Sequence, residues 1–406
     1  MQDEEHQAVS IIDATELSRI FYIQNRNLTL ENLSLHNADS GFGNSNTNDF
    51  ANGGAIWATG ATVHLNTVSL VHNKANNGGG ALFAEESEFT IESAQFERNE
   101  ARYGGGFFLK QSDLILTGSN FSDNQVVDNG GALALEDTEA EIENTVFSEN
   151  SSDEFGGAIT AVESSVDITA SEFEENDSAN SGAVYLVGGE LEIESTQFTE
   201  NTAGDSGGAL FLREGFVEIK TSTFDGNEAD DGGAIAFLNT ELKIENSTFS
   251  ANIAEEGGAL YTDGGVLQLF HVTMVFNEAF EAAGGIYLSS DNGEFTEIEV
   301  VNSIIAGNVS RRMNLDCDGD GDGDYLDAID FEDHNLVTIA SGCIEADETD
   351  TLTIAADQVD ISLVSELAEN EGVTNTHALL AESIAIDVVT SGTTLFVDQR
   401  GVERGD

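Results

Sequence analysis

A glycine-led repeat recurs ten times along the chain, and no other feature of the sequence constrains the fold as strongly. Successive repeats begin 25 to 27 residues apart. One repeat opens with Gly232-Gly233-Ala234-Ile235, continues through the alternating stretch Leu242-Lys243-Ile244 and closes on Phe249-Ser250-Ala251-Asn252. A fixed period of this length predicts a solenoid of stacked, similar turns. The opening residues are Gly53, Gly79, Gly105, Gly130, Gly156, Ser181, Gly207, Gly232, Gly257 and Gly284, and the closing asparagines are Asn73, Asn99, Asn124, Asn150, Asn176, Asn201, Asn227, Asn252, Asn277 and Asn308.

Each repeat contains strand patterns and leaves no room for a crossover helix. Alternation of the Leu-x-Ile kind places every second side chain on one face of a strand. The glycine segment predicts a second strand, and the Phe-x-x-Asn segment predicts a third strand or a tight bend. We therefore predict an all-β fold: a right-handed, single-stranded parallel β-helix of the pectate-lyase-like type. It would have ten to eleven turns, stacked about 4.8 Å apart.

The repeated side chains have structural roles in such a helix. The glycines allow a positive φ at a sharp corner. The asparagines are expected to occupy left-handed bends and to hydrogen-bond along the stack. One large apolar side chain per turn is expected to point inward. This column comprises Leu70, Phe96, Phe121, Phe147, Phe173, Phe198, Phe224, Phe249, Met274 and Ile305.

The pattern divides the chain into three sections. Residues 1–52 contain a polar tail, an irregular first turn and an inserted loop, and residues 53–311 contain the regular repeats. Residues 312–406 form an acidic section without the period. We expect this section to fold back over the last turn as a cap, since an exposed strand edge invites end-to-end assembly.

Two resemblances cover nearly the whole chain. The alternating Gly-Gly-Ala-Ile and Phe-x-x-Asn segments resemble the repeats of chlamydial polymorphic outer-membrane proteins and related bacterial surface β-helix proteins. The end of the chain is similar to that of bacterial choice-of-anchor Q surface proteins. The pieces that match in order are Asn302–Asn308, Asp316-Cys317, His334–Val337, Gly342-Cys343, Thr376–Leu380, Ala385–Asp387 and Asp398-Gln399-Arg400-Gly401.

The resemblance implies a location and a covalent link. Members of these families are typically secreted, are held at the cell surface by variable C-terminal anchors, and mostly have no established activity. The resemblance also favours a disulfide between Cys317 and Cys343, the two cysteines of the chain, because disulfides persist in oxidising compartments. We therefore expect an extracellular or cell-surface protein.

Composition excludes some partners and favours others. Acidic residues outnumber basic ones 76 to 13, for a formal charge of −63. Nucleic acids and anionic membranes are thereby disfavoured, whereas cations are favoured. No apolar run approaches the ~18 residues of a membrane span, and the N-terminus lacks a signal peptide, so we expect a mature fragment of a longer precursor. Proline is absent from all 406 residues, which indicates redesign or another purge of proline, since about twenty are usual.

Stacked carboxylates form the first candidate site. Glu141, Asp167, Glu192 and Glu218 occupy the outward position of the alternating strand in successive turns. Neighbouring turns would bring such carboxylates within about 5 Å, a spacing known from glycosidic acid/base pairs. We interpret the column as a solvated acidic face, with cation binding as the alternative.

A small basic island forms the second candidate site. His72 and Arg98 each precede the asparagine of their turn, so they should stack on each other, with Asp123 next in the column. Parallel β-helix polysaccharide lyases use Arg or Lys as a base, so these three residues would be the catalytic candidates in an enzyme. We interpret them instead as charge balance on an acidic surface.

An aspartate-rich loop forms the third candidate site. Asp316, Asp318, Asp320, Asp324 and Asp327 stand at positions 1, 3, 5, 9 and 12 of a stretch whose sixth residue is glycine. This spacing is typical of EF-hand-type or dockerin-type calcium loops. We count Asp322 with them as a calcium ligand; the alternative is a plain acidic loop. His36, His64 and His271 are read as isolated positions.

These observations predict a non-catalytic, adhesin-like β-helix protein that binds glycans or surface proteins and is a monomer. The alternative is a polysaccharide lyase or glycoside hydrolase working on the outer face of the helix. An enzyme needs a groove walled by long loops, and most bends here are short. Ice binding is disfavoured because the outward columns lack a repeated Thr-x-Thr array.

Overall fold

The computed structural model of the chain describes residues 10–41, 51–291, 296–311, 315–320, 324–332, 334–338, 342–343, 351–386, 395 and 397–404. The chain forms two compact units, Met1–Thr160 and Ala161–Asp406. Within the described part, no helix has the length and apolar character that a membrane span requires.

One turn of the second unit shows how a repeat folds. Leu210–Arg213, Phe216–Lys220 and Thr223–Asp225 are its three main strands. Each pairs in parallel with the equivalent strand of the next turn, as when Phe224 lies opposite Phe249. We name them the glycine strand, the alternating strand and the phenylalanine strand. The predicted all-β parallel β-helix is confirmed, and the third segment of the repeat is a strand.

Many turns also contain a short fourth strand after the asparagine. The strands of the first unit are Ser10–Asp13, Phe21–Gln24, Asn27–His36, Ile56–Thr59, Thr62–Val71, Leu82–Glu85, Glu88–Glu92, Gln95–Glu97, Glu100–Tyr103, Phe107–Lys110, Asp113–Thr117, Asn120–Ser122, Gln125–Asn129, Leu133–Glu136, Glu139–Glu143, Val146–Ser148 and Ser151–Phe155, followed by Ile159–Val162 at the unit boundary. The strands of the second unit are Ser165–Thr169, Glu172–Glu174, Asp177–Asn180, Val184–Val187, Glu190–Glu194, Gln197–Thr199, Thr202–Ala203, Leu210–Arg213, Phe216–Lys220, Thr223–Asp225, Ile235–Glu245, Thr248–Ser250, Ile253–Ala254, Leu260–Phe270, Thr273–Val275, Glu278–Ala279, Ile286–Ser289, Glu297–Val301, Ile304–Ala306, Val309–Ser310, Cys317–Gly319, Ile329–Glu332, Asn335–Thr338, Thr351–Ile354, Val364–Ala368 and Thr376–Leu379.

Apolar side chains stack along the inside of each unit. In the first unit Phe96 and Phe121 stack with ring centroids 4.6 Å apart. In the second unit the rings of Phe198, Phe224 and Phe249 follow one another at 4.8 Å and lie within 2° of parallel. All five side chains are 0% exposed. The predicted inward column is confirmed, because the period places one aromatic side chain at the same inward position in each turn.

A ladder of asparagine side chains runs beside the phenylalanines. Nδ2 of Asn227 donates to Oδ1 of Asn252 at 2.9 Å, and Nδ2 of Asn252 donates to Oδ1 of Asn277 at 2.8 Å. The predicted hydrogen bonding along the stack is therefore confirmed. The predicted left-handed bends at the asparagines are wrong, because the positive φ belongs to the residue before each one, such as Gly226 or Ala251. That residue turns the chain so that the amide group points inward.

Each glycine of a pair has its own role. Gly232 has a φ of +64°, the corner that the sequence predicts. Gly233 lies so close to the next turn that a Cβ would stand 2.3 Å from the carbonyl oxygen of Gly258. Ser181, which replaces the glycine in one repeat, takes the same left-handed conformation at φ 66°. The corner in the third repeat is Gly104 rather than Gly105.

The β-helix continues beyond Arg311, where the regular period ends. Cys317–Gly319, Ile329–Glu332 and Asn335–Thr338 pair in parallel with the three strands of the preceding turn. Thr351–Ile354 then pairs with Asn335–Thr338. The acidic section thus adds an irregular turn to the stack. The 3₁₀ helices Asp324–Ala328 and Ala356–Gln358 and the π-helix Val359–Leu363 interrupt it.

The last part of the chain lies along the side of the second unit. We name residues 364–386 and 397–404 the C-terminal segment. Thr374 Oγ1 donates to the carbonyl oxygen of Thr221 at 2.9 Å, and Thr223 Oγ1 donates to that of Asn375 at 2.6 Å. These contacts lie several turns before the end of the helix. The C-terminal segment thus reaches turns well before the last one, whereas Val359 and Leu363 of the same section pack against Ala306 and Leu336 near the end of the helix.

Candidate functional site

A cleft separates the C-terminal segment from the phenylalanine strands of the second unit. Its volume is about 410 Å³. Outward-facing side chains of four successive turns form one wall, and the two arms of the C-terminal segment form the other. We name it the C-terminal cleft. Its polar lining includes Asn246, Thr248, Thr273, Asn302, Ser303 and Asn335 on the helix side.

Basic side chains are concentrated in the C-terminal cleft. The chain carries 13 Lys and Arg and 7 His against 76 Asp and Glu. Five of those basic side chains line this cleft. Among the described lining residues, Asp398 is the single carboxylate. The lining of the cleft is thus rich in basic residues, although the protein as a whole is acidic. The five basic residues are His271, His334, His377, Arg400 and Arg404.

A tight turn places the two arginines. The amide N–H groups of Arg400 and Val402 both donate to Oδ1 of Asp398, at 2.9 and 3.0 Å. Gly401 closes the turn at a φ of +77°. The Arg400 guanidinium donates to Oδ2 of Asp398 through Nε and Nη2, at 2.8 and 2.5 Å. Asp398 is therefore committed to the turn and to Arg400.

Gln399 fastens this turn to the helix. Its side chain is 9% exposed, and its Nε2 donates to the carbonyl oxygen of Ser222 at 3.1 Å and to Oγ1 of Thr223 at 3.0 Å. Thr248 Oγ1 donates to Oε1 of Gln399 at 2.7 Å. Because buried amide groups are costly to leave unpaired, these bonds hold the arm at one register along the helix.

Two histidines of the C-terminal cleft are kept neutral by their surroundings. Burial, and then the nearby charge of Arg404, lower the pKa of His271 to about 4. Burial also lowers the pKa of His377. His377 lies between the segment and the helix, with Nδ1 2.6 Å from the carbonyl oxygen of Ser365 and Nε2 3.0 Å from Oγ of Ser250. His377 therefore positions the segment.

Sequence reasoning did not find the C-terminal cleft. It read His271 as isolated, since the residues that face it lie far along the chain. One signal was present: His334, His377, Arg400 and Arg404 fall in or beside the string of pieces shared with surface proteins.

The predicted basic island of the first unit is present as a column. His72, Arg98 and Asp123 occupy equivalent left-handed positions in successive turns, with φ values of 54°, 52° and 54°. Arg98 Nη2 lies 3.2 Å from a carboxylate oxygen of Asp123, and Arg98 also pairs with Glu97. The guanidinium charge is therefore offset by neighbouring carboxylates.

The predicted acidic column of the second unit is in register. Asp167, Glu192 and Glu218 lie opposite one another in successive alternating strands. Two ammonium groups meet the last of them, from Lys220 at 2.6 Å and Lys243 at 3.0 Å. Glu141 lies in the first unit, opposite Ile115. The pairing of Glu218 with Lys220 and Lys243 thus ends the column of stacked carboxylates.

Two of the predicted calcium residues accept hydrogen bonds from neighbouring protein groups. Asp316 is 0% exposed, and its two oxygens accept hydrogen bonds from Asn308 and Thr338. Asp320 accepts from the hydroxyl of Tyr287 at 2.9 Å and from the amide of Ser290 at 2.7 Å.

The other predicted ligands are Asp318, Asp322, Asp324 and Asp327. Asp318 Oδ1 accepts from the amide of Gly319 at 3.0 Å. Asp324 and Asp327 lie in a 3₁₀ helix. Asp322 is outside the described residues. No group of three potential ligands close enough for a metal occurs in the described part of the chain. Calcium binding stays a prediction.

The two cysteines are joined. Cys317 and Cys343 form a disulfide with their Cα atoms 4.8 Å apart. The bond links the start of the irregular turn to the residues that follow its last strand. It matches the pairing that the resemblance implies.

Two neighbouring carboxyl groups of the second unit were also missed by sequence reasoning. Asp231 and Glu256 lie opposite each other in adjacent turns. Burial, with repulsion from neighbouring carboxylates led by Asp205, raises the pKa of Asp231 to about 6. Burial, with repulsion led by Asp231, raises the pKa of Glu256 to about 7. Both carboxyl groups therefore titrate closer to neutral pH than ordinary carboxyl groups do, as acid/base carboxyls do in enzymes.

The shifted carboxyl groups predict that the protein is more stable in mild acid. Burial raises the pKa of Asp316 to about 7, so Asp316, Asp231 and Glu256 hold protons in the folded state where the unfolded chain has released them. Stability is therefore lost as the pH rises from about 4 to about 7. His271 and His377 act in the opposite sense, since their lowered pKa values cost stability as the pH falls below the ordinary value near 6.5. We expect the three carboxyl groups to outweigh the two histidines.

We expect a higher melting temperature at pH 5.5 than at pH 8. The comparison should be made in about 0.5 M NaCl, which screens the general repulsion between surface carboxylates. Glu256→Gln should reduce the difference, whereas Glu241→Gln, on the exposed face of the same unit, should leave it unchanged. An equal or higher melting temperature at pH 8 would contradict the assignment.

Two protein-family models match the chain, and they agree with the fold. A family model of the right-handed β-helix region matches residues 157–325, and a model of the Chlamydia polymorphic membrane protein repeat matches residues 144–162. Among solved structures, the PL6 family alginate lyase AlyGC is similar, with 12% identity, a TM-score of 0.43, and coverage of 95% of this chain and 55% of that chain.

A mutant of the same lyase gives 11% identity, a TM-score of 0.40, and coverage of 97% of this chain and 58% of that chain. This chain thus spans little more than half the length of the lyase. No curated protein sequence matches it. The chain is a parallel β-helix repeat protein, and its repeats resemble those of the Chlamydia polymorphic membrane proteins.

Proposed function

We propose that this chain is a cell-surface β-helix protein that binds a glycan in the C-terminal cleft without cleaving it. The cleft is the main observation that supports the proposal. Its volume of about 410 Å³ falls within the ~300–1,000 Å³ of small-molecule sites. The similarity to polymorphic membrane protein repeats supports a surface location. The disulfide between Cys317 and Cys343 supports an oxidising compartment.

The lining of the C-terminal cleft suits a sugar. Hydroxyl and amide groups such as those of Thr273 and Asn302 stand beside the aliphatic side chains of Val272, Ile304 and Leu336. A sugar ring has the same dual character, with hydroxyl groups at its rim and C–H groups on its faces. Hydrogen-bonding groups fix the orientation of a ligand, while apolar walls exclude water from it.

The chemistry of the cleft favours binding over cleavage. Glycosidic cleavage by acid/base catalysis needs two carboxyl groups on either side of the scissile bond. Among the described lining residues, only Asp398 carries a carboxylate, and that carboxylate is paired with Arg400. The shifted pair Asp231 and Glu256 is not part of this lining.

Glycan binding can be tested by filling the cleft. We expect the chain to bind members of a glycan array, and Thr273→Trp to abolish that binding because the indole occupies the cleft. Gln197→Trp is the matched control, since Gln197 faces outward from the same strand position three turns earlier. Unchanged binding by Thr273→Trp would place the ligand elsewhere, and no binding by the wild-type chain would remove the proposal.

A second candidate is polysaccharide cleavage at Asp231 and Glu256. The observation that favours it is the position of two half-buried carboxyl groups in adjacent turns with pKa values raised to about 6 and about 7. Products should then appear as new reducing ends or as unsaturated sugars when acidic and neutral polysaccharides are incubated with the protein. Glu256→Gln should abolish them, whereas Thr273→Trp should not.

A further inference from the structure

We propose that the C-terminal cleft takes an acidic sugar whose carboxylate pairs with the guanidinium of Arg404. This inference rests on the glycan binding proposed above and adds the class of sugar. It concerns the charge of the ligand, the residue that holds that charge and the proton that accompanies it.

The first supporting observation concerns the guanidinium of Arg404. Its Nη2 donates to Oδ1 of Asn246 at 2.6 Å and its Nε donates to the carbonyl oxygen of Val397 at 3.2 Å. Among the described residues, no carboxylate oxygen lies within 4.0 Å of its guanidinium, whereas Arg400 and Lys243 of the same unit form such pairs. Arg404 is also half-buried.

The guanidinium of Arg404 is half-buried, and the carboxylate whose charge raises its pKa, that of Asp398, is already paired with Arg400. A buried charge is costly unless an opposite charge meets it. The two bonds to Asn246 and Val397 fix the direction of the guanidinium and leave its other N–H groups able to donate. Arginine presents its donors in a planar fork that matches the two oxygens of a carboxylate. The arrangement is therefore prepared for an anion.

The second supporting observation concerns the charges of the other residues that line the cleft. Every titratable residue among the described lining residues is basic except Asp398, which Arg400 neutralises. His271 stands close enough to Arg404 for the guanidinium charge to help lower its pKa. A carboxylate bound at Arg404 would offset that charge and raise the pKa of His271. Binding is then coupled to uptake of a proton.

The size and walls of the cleft select a sugar acid over a small ion. A volume of about 410 Å³ exceeds what phosphate, sulfate or acetate can fill. The aliphatic side chains of Val272, Ile304 and Leu336 cannot hydrogen-bond such ions, but they can pack against the C–H face of a sugar ring. The chemistry thus points to a uronate, a sugar that carries a carboxylate on its ring.

Titration calorimetry with digalacturonate, and with neutral galactobiose as the uncharged counterpart, tests the inference. We expect digalacturonate to bind the wild-type chain more tightly than galactobiose does. Arg404→Gln should weaken digalacturonate binding by about tenfold or more, since hydrogen bonds to charged groups contribute about 1.5–3 kcal/mol. It should leave galactobiose binding unchanged. Arg213→Gln, an exposed arginine of the same unit, should change neither.

Two further measurements separate a charge effect from loss of structure. Arg404→Lys keeps the positive charge and should retain part of the preference for digalacturonate. In buffers of different ionisation enthalpy near pH 5, binding of digalacturonate should be accompanied by partial uptake of a proton, and His271→Gln should remove that uptake. Circular dichroism should show an unchanged fold in each variant used.

The possible failures are distinct. Equal binding of the two disaccharides, unaffected by Arg404→Gln, would overturn the acidic-sugar assignment and leave glycan binding in place. Binding of digalacturonate without proton uptake would remove the role of His271. If neither these disaccharides nor any member of the glycan array binds, both this inference and the proposed function fail.

Discussion

Asn252→Ala is expected to lower the free energy of unfolding by roughly 3–6 kcal/mol, because the substitution leaves buried donors unpaired. Oδ1 of Asn252 accepts from the amide nitrogen and from Nδ2 of Asn227, at 3.0 and 2.9 Å. Nδ2 of Asn252 donates to the carbonyl oxygen of Phe224 at 3.0 Å. An alanine methyl group replaces none of these bonds, and no water can reach a side chain that is 0% exposed.

Urea unfolding followed by far-ultraviolet circular dichroism measures this change. Glu241→Ala is the control, since Glu241 is exposed in the same repeat and such substitutions usually change stability by less than about 0.5 kcal/mol. A loss below about 1 kcal/mol at Asn252 would show that the ladder contributes little to stability.

Phe224→Ala should cost roughly 3–5 kcal/mol, the usual range for a buried phenylalanine. Its ring lies between those of Phe198 and Phe249, 4.8 Å from each. The turns above and below are held by parallel backbone hydrogen bonds, so they cannot close around the empty space. The cavity should therefore persist and keep the cost near the upper end of the range.

Phe216→Ala provides the matched control in the same turn. Phe216 is 42% exposed, so its removal should cost less than about 1 kcal/mol. Unfolding in urea should separate the two variants clearly. Equal losses at Phe216 and Phe224 would contradict the interior position of the phenylalanine column.

Periodicity explains why the helix was predictable from the sequence. Phe198, Phe224 and Phe249 recur at intervals of 26 and 25 residues, so any fold that gives them equal surroundings must stack equal turns. The same argument placed His72, Arg98 and Asp123 in one column. It did not give the backbone conformation of the asparagines, since side-chain repetition does not show which neighbour turns the chain.

The route of the C-terminal segment could not be predicted in this way. Gln399 contacts Ser222 and Thr223, 177 and 176 positions earlier in the chain. No repeat connects such residues, and their pairing depends on the shapes of two surfaces that form only in the folded state. The C-terminal cleft was missed for the same reason, because Arg404 meets Asn246 only after the segment has packed. The sequence likewise did not show that Asp316 is buried and closes the asparagine ladder. Its spacing alone suggested a calcium ligand.

The asparagine ladder has an electrical direction. From Asn201 through Asn227 to Asn252 one N–H of each side-chain amide donates to the Oδ1 of the next asparagine, so the amide dipoles add. The other N–H donates to a phenylalanine carbonyl oxygen of the preceding turn. The ladder therefore ends in a donor with partial positive charge, the Nδ2 of Asn308, which meets Oδ1 of Asp316 at 3.0 Å. A carboxylate at the start of an α-helix neutralises the helix dipole in the same manner.

Asp316 closes this array in a way that another asparagine could not. Its second oxygen accepts from the amide nitrogen of Thr338 at 3.1 Å, a place where an asparagine would present a second donor. Above the pKa of Asp316, which burial raises to about 7, the stack is thus terminated in charge as well as in shape. Additional turns could be inserted between Asn252 and Asn277, where one amide follows another. A turn appended beyond Asp316 would instead bring the Oδ1 of its asparagine, an acceptor, against the carboxylate oxygens of Asp316.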